Sequence, residues 1–202
     1  MSTKNLVTVV LFGSAWGLTE ATLGGLLHFM HFPFTGTVMA SIGFALLFAA
    51  MRAGLNPSAL VGVSFVAASF KFLDVFLFNA SPFDFLITNP AVAIASQGLA
   101  FAAVFWRGQS HARAMELAPR FLLAAAASMV LFNVVSVFAF GKQTYHTQMF
   151  VNAALIQLPA TALGATALSL VAGRIRLAAS IGSRAAAAAG LAALAIAARL
   201  VF

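Results

Sequence analysis

The sequence predicts an all-α fold, a single polytopic transmembrane helix bundle over residues 1–202, and three observations predict it. Of 202 residues, 62% are hydrophobic and 7% charged, whereas a soluble domain carries about 25% charged residues. The apolar residues fall into runs of spanning or near-spanning length at 5–30, 36–52, 57–78, 90–106, 119–141, 148–173 and 177–202, separated by polar or proline-containing joints. A crossing takes about 20 mainly apolar residues, so the length is used by six or seven helices and short loops. None of the runs alternates apolar with polar residues, as the strands of an outer-membrane barrel would.

Segment one follows Lys4 and runs through Trp16 toward His28. It is longer than the apolar core of a leader and has no clear small-x-small cleavage site, so it reads as a membrane helix. Gly13, Gly17, Ala21 and Gly25 recur every four residues on it and form a smooth ridge. Such a ridge lets another helix approach closely, either within the chain or from a partner membrane protein. A second stripe, Trp16, Glu20, Gly24 and His28, points Glu20 and His28 the same way.

Segment two ends at Arg52, and segment three opens with Asn56-Pro57, an N-cap followed by proline at the first helical position. Lys71 and Asp74 share one face of segment three, which continues through Ser64, Ala67 and Ala68. Asn89-Pro90 repeats the capping pattern before segment four. With Ala91 it also reads like the Asn-Pro-Ala motif of water channels, although in a single copy. Segment five holds Asn133 and Ser136. Segment six holds Asn152, Gln157 and Pro159, and the proline predicts a kink that frees a carbonyl. Residues 177–202 either cross as a seventh helix, with Arg184 and Arg199 snorkelling, or lie along the interface.

The net charge of +7 is not a nucleic-acid footprint, because the basic residues stand singly between apolar runs rather than in a stripe. It is a topology signal. Lys4, Arg52, Arg107, Arg113, Arg120, Arg174, Arg176 and Arg184 share one side if the N-terminus is cytoplasmic, opposed by Lys142 and Arg199. The predicted location is the inner (cytoplasmic) membrane.

A charge at the bilayer centre costs ~3 kcal/mol or more, so the intramembrane charges Glu20, Lys71 and Asp74 are the leading candidates for function. At ~1.5 Å per residue, Glu20 lies ~22 Å along its segment and Lys71 and Asp74 ~20–24 Å along theirs. Gln97, Asn133, Asn152 and Gln157 fall at similar outer-half depths, which predicts a polar cavity opening outward with His28 at its mouth. The alternative is structural: Glu20 pairs with Lys71, and each amide joins helices by a hydrogen bond worth ~0.6 kcal/mol.

The chain has no cysteine, which removes disulfides, thiolate metal sites and cysteine nucleophiles. His28, His31, His111 and His146 have no diagnostic metal spacing. There is no Gly-rich phosphate cradle, no HExxH and no nucleophile elbow. The expectation is therefore a protein that is not an enzyme and holds no resident cofactor or metal.

In plan, and in the first-helix ridge Gly13-Ser-Ala-Trp-Gly17, the chain resembles the substrate-capture (S) components of energy-coupling-factor transporters. A seventh helix departs from that plan, and no binding residue is carried over. The resemblance implies outward capture of a small, vitamin-like nutrient, with energy supplied by a separate membrane scaffold bearing cytoplasmic ATPases. Two other readings fit the same charges: a membrane anchor or quinone- or haem-binding subunit of a respiratory complex, and an autonomous ion-coupled carrier or channel.

Overall fold

The computed structural model describes residues 2–73, 75, 79, 81–107, 114–141 and 151–172. Every element among them is helical. Helix α1 runs Thr3–Phe29, α2 Thr35–Arg52, α3 Pro57–Phe72, α4 Phe85–Val104 and α5 Ala114–Phe140, while α6 joins Ala153–Gln157 to Leu158–Ala172. Five of these helices are long and apolar enough to cross a membrane, and α3 is a shorter apolar helix. The chain is a multi-pass membrane protein. Asp74, His111, Lys142, His146 and the segment 177–202 lie outside the described residues.

Two similar dipeptides behave differently. Asn56 caps α3, its Oδ1 accepting from the Ala59 amide at 3.0 Å, and Pro57 opens the helix. Asn89, expected to cap α4, instead lies inside it. The helix starts at Phe85 rather than at 90, and the Ile87 and Thr88 amides donate to the Asp84 carbonyl at 3.0 and 2.8 Å. Pro119 likewise lies inside α5, which starts at Ala114 rather than at 119. Each proline stands within the first two turns, where it removes a single amide bond and the apolar residues upstream still extend the helix.

Around the bundle the neighbours follow the order α1, α3, α4, α5, α6, α2, and α2 also touches α4 across the middle. On the small-residue ridge of α1, α3 fills the positions of Gly13 and Gly17, while Gly25 has open space around it. A Cβ at Gly13 would lie 2.6 Å from the Val66 Cβ and 2.9 Å from the Val63 carbonyl, and one at Gly17 would fall on the Phe70 ring. Ala21, next on the ridge, is 1% exposed. The partner-docking role expected of Gly13, Gly17 and Ala21 therefore gives way to packing within the chain, because a ridge smooth enough for a partner is equally smooth for α3.

Toward the end of the bundle where α1 begins, Phe44, Phe48, Phe101, Phe105 and Phe121 interlock, none more than 3% exposed. Phe101 and Phe105 stack at 4.3 Å, and Phe105 and Phe121 lie 5.6 Å apart. The Arg120 guanidinium sits 6.0 Å from the Phe105 ring centre, a cation over an aromatic face. These rings make a dry plug across the bundle.

Candidate functional site

Three helices leave regular α geometry at about the same height. Helix α1 widens to a π turn over Glu20–Gly24, α3 tightens to a 3-10 turn over Phe70–Phe72, and α6 is a π turn over Ala153–Gln157. The two π turns have local causes. In α1 the Thr19 and Thr22 hydroxyls donate to the Ala15 and Leu18 carbonyls at 2.8 Å, competing with the backbone amides for those acceptors. In α6 the π turn precedes Pro159, which has no amide to offer the Leu155 carbonyl and would crowd it in an ordinary turn. The kink expected at Pro159 thus takes the form of a wide turn.

These irregular turns carry Glu20, Lys71 and Gln157 to the wall of a cavity of about 500 Å³. Pockets for small molecules span roughly 300–1,000 Å³. All six described helices contribute to the wall, which includes Thr37, Asn89, Gln97, Ser128 and Thr161. Phe44, the upper ring of the aromatic plug, belongs to its lining. At the opposite end the lining includes His28 and Gly36, both exposed. The site is a cup, closed below by aromatic rings and open where α1 turns into α2.

Lys71 Nζ lies 3.2 Å from Glu20 Oε1, with side-chain exposures of 11% and 13%. Gly24, one turn beyond Glu20, leaves room for the carboxylate: a Cβ there would come within 3.3 Å of Glu20 Cδ. His28 Nδ1 lies 3.3 Å from the Gly24 carbonyl, a hydrogen bond that requires the Nδ1–H form. Three further wall residues hold buried oxygens without a hydrogen-bond partner among the described residues: Thr37 Oγ1, Asn89 Oδ1 and Gln97 Oε1. A buried polar atom left unpaired costs about 1–3 kcal/mol, and these oxygens have almost no accessible surface, so a molecule in the cavity reaches them only when their side chains turn toward it.

Of the predicted site residues, Glu20, His28, Lys71, Gln97 and Gln157 meet in this wall. Asn133 and Asn152 do not. Depth along a helix fixes height but not direction. The α5 stripe facing the cavity is Ala125, Ser128, Met129 and Phe132, and Asn133 is half-buried beside it, its Oδ1 unpartnered among the described residues. Asn152 precedes the π turn of α6 and is exposed. Asp74 lies outside the described residues.

The residues that sequence reasoning missed are Thr37, Asn89, Ser128 and Thr161. Asn89 was assigned to capping. Ser and Thr in helices commonly bond their own backbone, so they give no signal alone. The i, i+3, i+4, i+7 spacing of Ala125, Ser128, Met129 and Phe132 is the pattern that marks the inner face of α5.

Chemically, the cup offers an ion pair, amides and hydroxyls together with aromatic and thioether side chains. Among the described residues no group of three or more His, Asp or Glu is arranged to hold a metal ion. Compared with known proteins, the chain matches no family model, no curated protein and no solved structure.

Proposed function

We propose that this chain is the membrane-embedded substrate-binding subunit of an uptake transporter for a small, vitamin-like nutrient, with its cup facing the cell exterior across the inner membrane. The observation that carries this reading is the one-ended cavity: a pocket of about 500 Å³ walled by six helices and shut by five phenylalanines. A shut floor suits capture better than a continuous pore. Of the described Lys and Arg residues, all but Lys71 (Lys4, Arg52, Arg107 and Arg120) stand at or near helix ends on the plugged side, which supports a cytoplasmic plugged end by the positive-inside rule.

A protein without a phosphate cradle of its own takes its energy from elsewhere, here from a separate membrane scaffold with cytoplasmic ATPases. Because α3 packs against Gly13 and Gly17 of the α1 ridge, that scaffold docks elsewhere than on these two glycines.

Native mass spectrometry and an absorption spectrum of the gently purified protein test the proposal. A co-purifying small metabolite or an ATPase-bearing complex is the expected result. Bound haem, quinone or redox subunits would overturn it, and gradient-driven uptake by vesicles holding this chain alone would replace it with an autonomous carrier.

A further inference from the structure

Helices α1 and α2 are neighbours in the ring and touch closely at Trp16 and Gly43, where a Cβ on the glycine would collide with the indole ring. Farther out they part. Gly25 and Gly36 stand ~14 Å beyond Trp16 and ~11 Å beyond Gly43 at ~1.5 Å per residue. Both line the cup, and a Cβ at either would meet no atom within 4 Å. The gap is framed below by the Trp16–Gly43 contact. Above it lies the turn into α2, where the Phe32 amide donates to the Leu27 carbonyl at 3.0 Å. It is a window that opens sideways through the wall of the bundle.

Its depth decides what it faces. Helix α2 has 18 residues and ends at Arg52, a group that the positive-inside rule sets at the inner boundary. Gly36 then stands ~24 Å above Arg52, inside a hydrocarbon layer of ~30 Å, and any tilt of the helix lowers it further. The frame of the window agrees with that depth. Phe29 is 82% exposed and Met30 66%, with Leu26, Phe32 and Phe34 exposed beside them. Apolar surface of this extent belongs in contact with lipid, and it continues the lipid-facing side of the bundle.

Resting on the capture reading, we infer that the cup takes a membrane-partitioning small molecule, which enters from the outer leaflet through the window between α1 and α2. The ligand is apolar over most of its surface, which lies along Met39, Phe44, Ile94 and Met129, and it carries polar groups for the amides and hydroxyls of the same lining. Such a molecule is scarce in water and concentrated in the leaflet, so a side entrance samples the phase that holds it.

The test reconstitutes the full chain in phosphatidylcholine vesicles and incubates it with an equimolar library of small molecules. The library holds a membrane-partitioning and a water-soluble class, matched in size and spanning all charge states. The protein is then extracted and captured, and retained compounds are identified by mass spectrometry against empty vesicles carried through the same steps. Membrane-partitioning members should be retained at least about tenfold over water-soluble ones. Preferential retention of the water-soluble class would overturn the lipid route while leaving capture standing, whereas retention of neither class would sink the capture reading itself.

Gly36→Trp fills the window from a position with open space around it. It should slow both loading of the best-retained compound from vesicles and its release back into them, each at least about tenfold. Unchanged exchange, or faster release, in the folded variant would refute the window. Gly25→Trp narrows the same gap from α1 and covers the case in which the first change prevents folding.

Discussion

Glu20 Oε1 and Lys71 Nζ meet at 3.2 Å from two helices that are both irregular at that point, one widened to a π turn and the other tightened to a 3-10 turn. The pair joins α1 to α3 just beyond the place where Gly17 packs on Phe70. Lys71→Met leaves the Glu20 carboxylate largely desolvated and should destabilise the fold by about 1–3 kcal/mol, and Glu20→Gln, which weakens the tie between the two helices, should destabilise it by up to about as much. The double change should be milder than their sum by about 1 kcal/mol. Chemical unfolding of the three variants in detergent measures this, and strict additivity would mean that the pair contributes nothing as a pair.

Pro159 is the residue that makes α6 open into a π turn ahead of it. Pro159→Ala restores the missing amide, so the turn should close toward α geometry and carry Gln157 out of its place in the wall. Stability should hold or rise, by up to about 1 kcal/mol, while small-molecule retention falls. Thermal unfolding and retention measured on the same sample separate the two effects. A variant that retains compounds normally would show that the wide turn does not position Gln157.

Gly43 brings α2 against Trp16 and Gln97, where a Cβ would lie 2.7 Å from Gln97 Oε1 and collide with the Trp16 ring. Trp16 is 1% exposed and has nowhere to move. Gly43→Ala should therefore cost about 1–3 kcal/mol by overpacking. Gly36→Ala, at a position with open space around its Cβ, is the control and should be near neutral. Equal melting temperatures for the two variants would contradict the close approach.

Ala93 lines the cup and is half-buried. Ala93→Trp would fill cavity volume without displacing the plug, so retention of small molecules should drop at least about tenfold with the unfolding midpoint little changed. Normal retention by the folded variant would place the binding site elsewhere.

A cysteine-free chain allows the orientation to be read by single-cysteine labelling. A membrane-impermeant maleimide applied to intact cells should modify Gly36→Cys at the cup mouth. It should reach Arg52→Cys only after permeabilisation. The reverse pattern would turn the cup toward the cytoplasm.

Much of the fold was legible because the signal was dense: seven apolar runs could not be folded as a soluble domain, and the described helices fall on the first six of them. Their starts were less legible. Asn56-Pro57 and Asn89-Pro90 are the same local pattern, yet only the first opens a helix, since Phe85, Leu86, Ile87 and Thr88 continue α4 upstream of the second. The site was legible where charge marked it, at Glu20 and Lys71. It was not legible where membership depends on direction around a helix, which a single irregular turn changes. That is why Asn152 was expected in the wall and Thr161, on the other side of the π turn, was not.

The aromatic plug also has an electrical consequence. Water entering the cup from its open mouth would be continuous with the medium there, so within the bundle a membrane voltage would fall mainly across the low-dielectric layer of Phe44, Phe48, Phe101, Phe105 and Phe121 rather than across the cup. Glu20 and Lys71, on the wet side of that layer, sit close to the potential of the medium they face. On the proposed capture role, binding in the cup would thereby be insulated from changes in membrane voltage, and any voltage dependence of a transport cycle would arise where a cargo passes the phenylalanines.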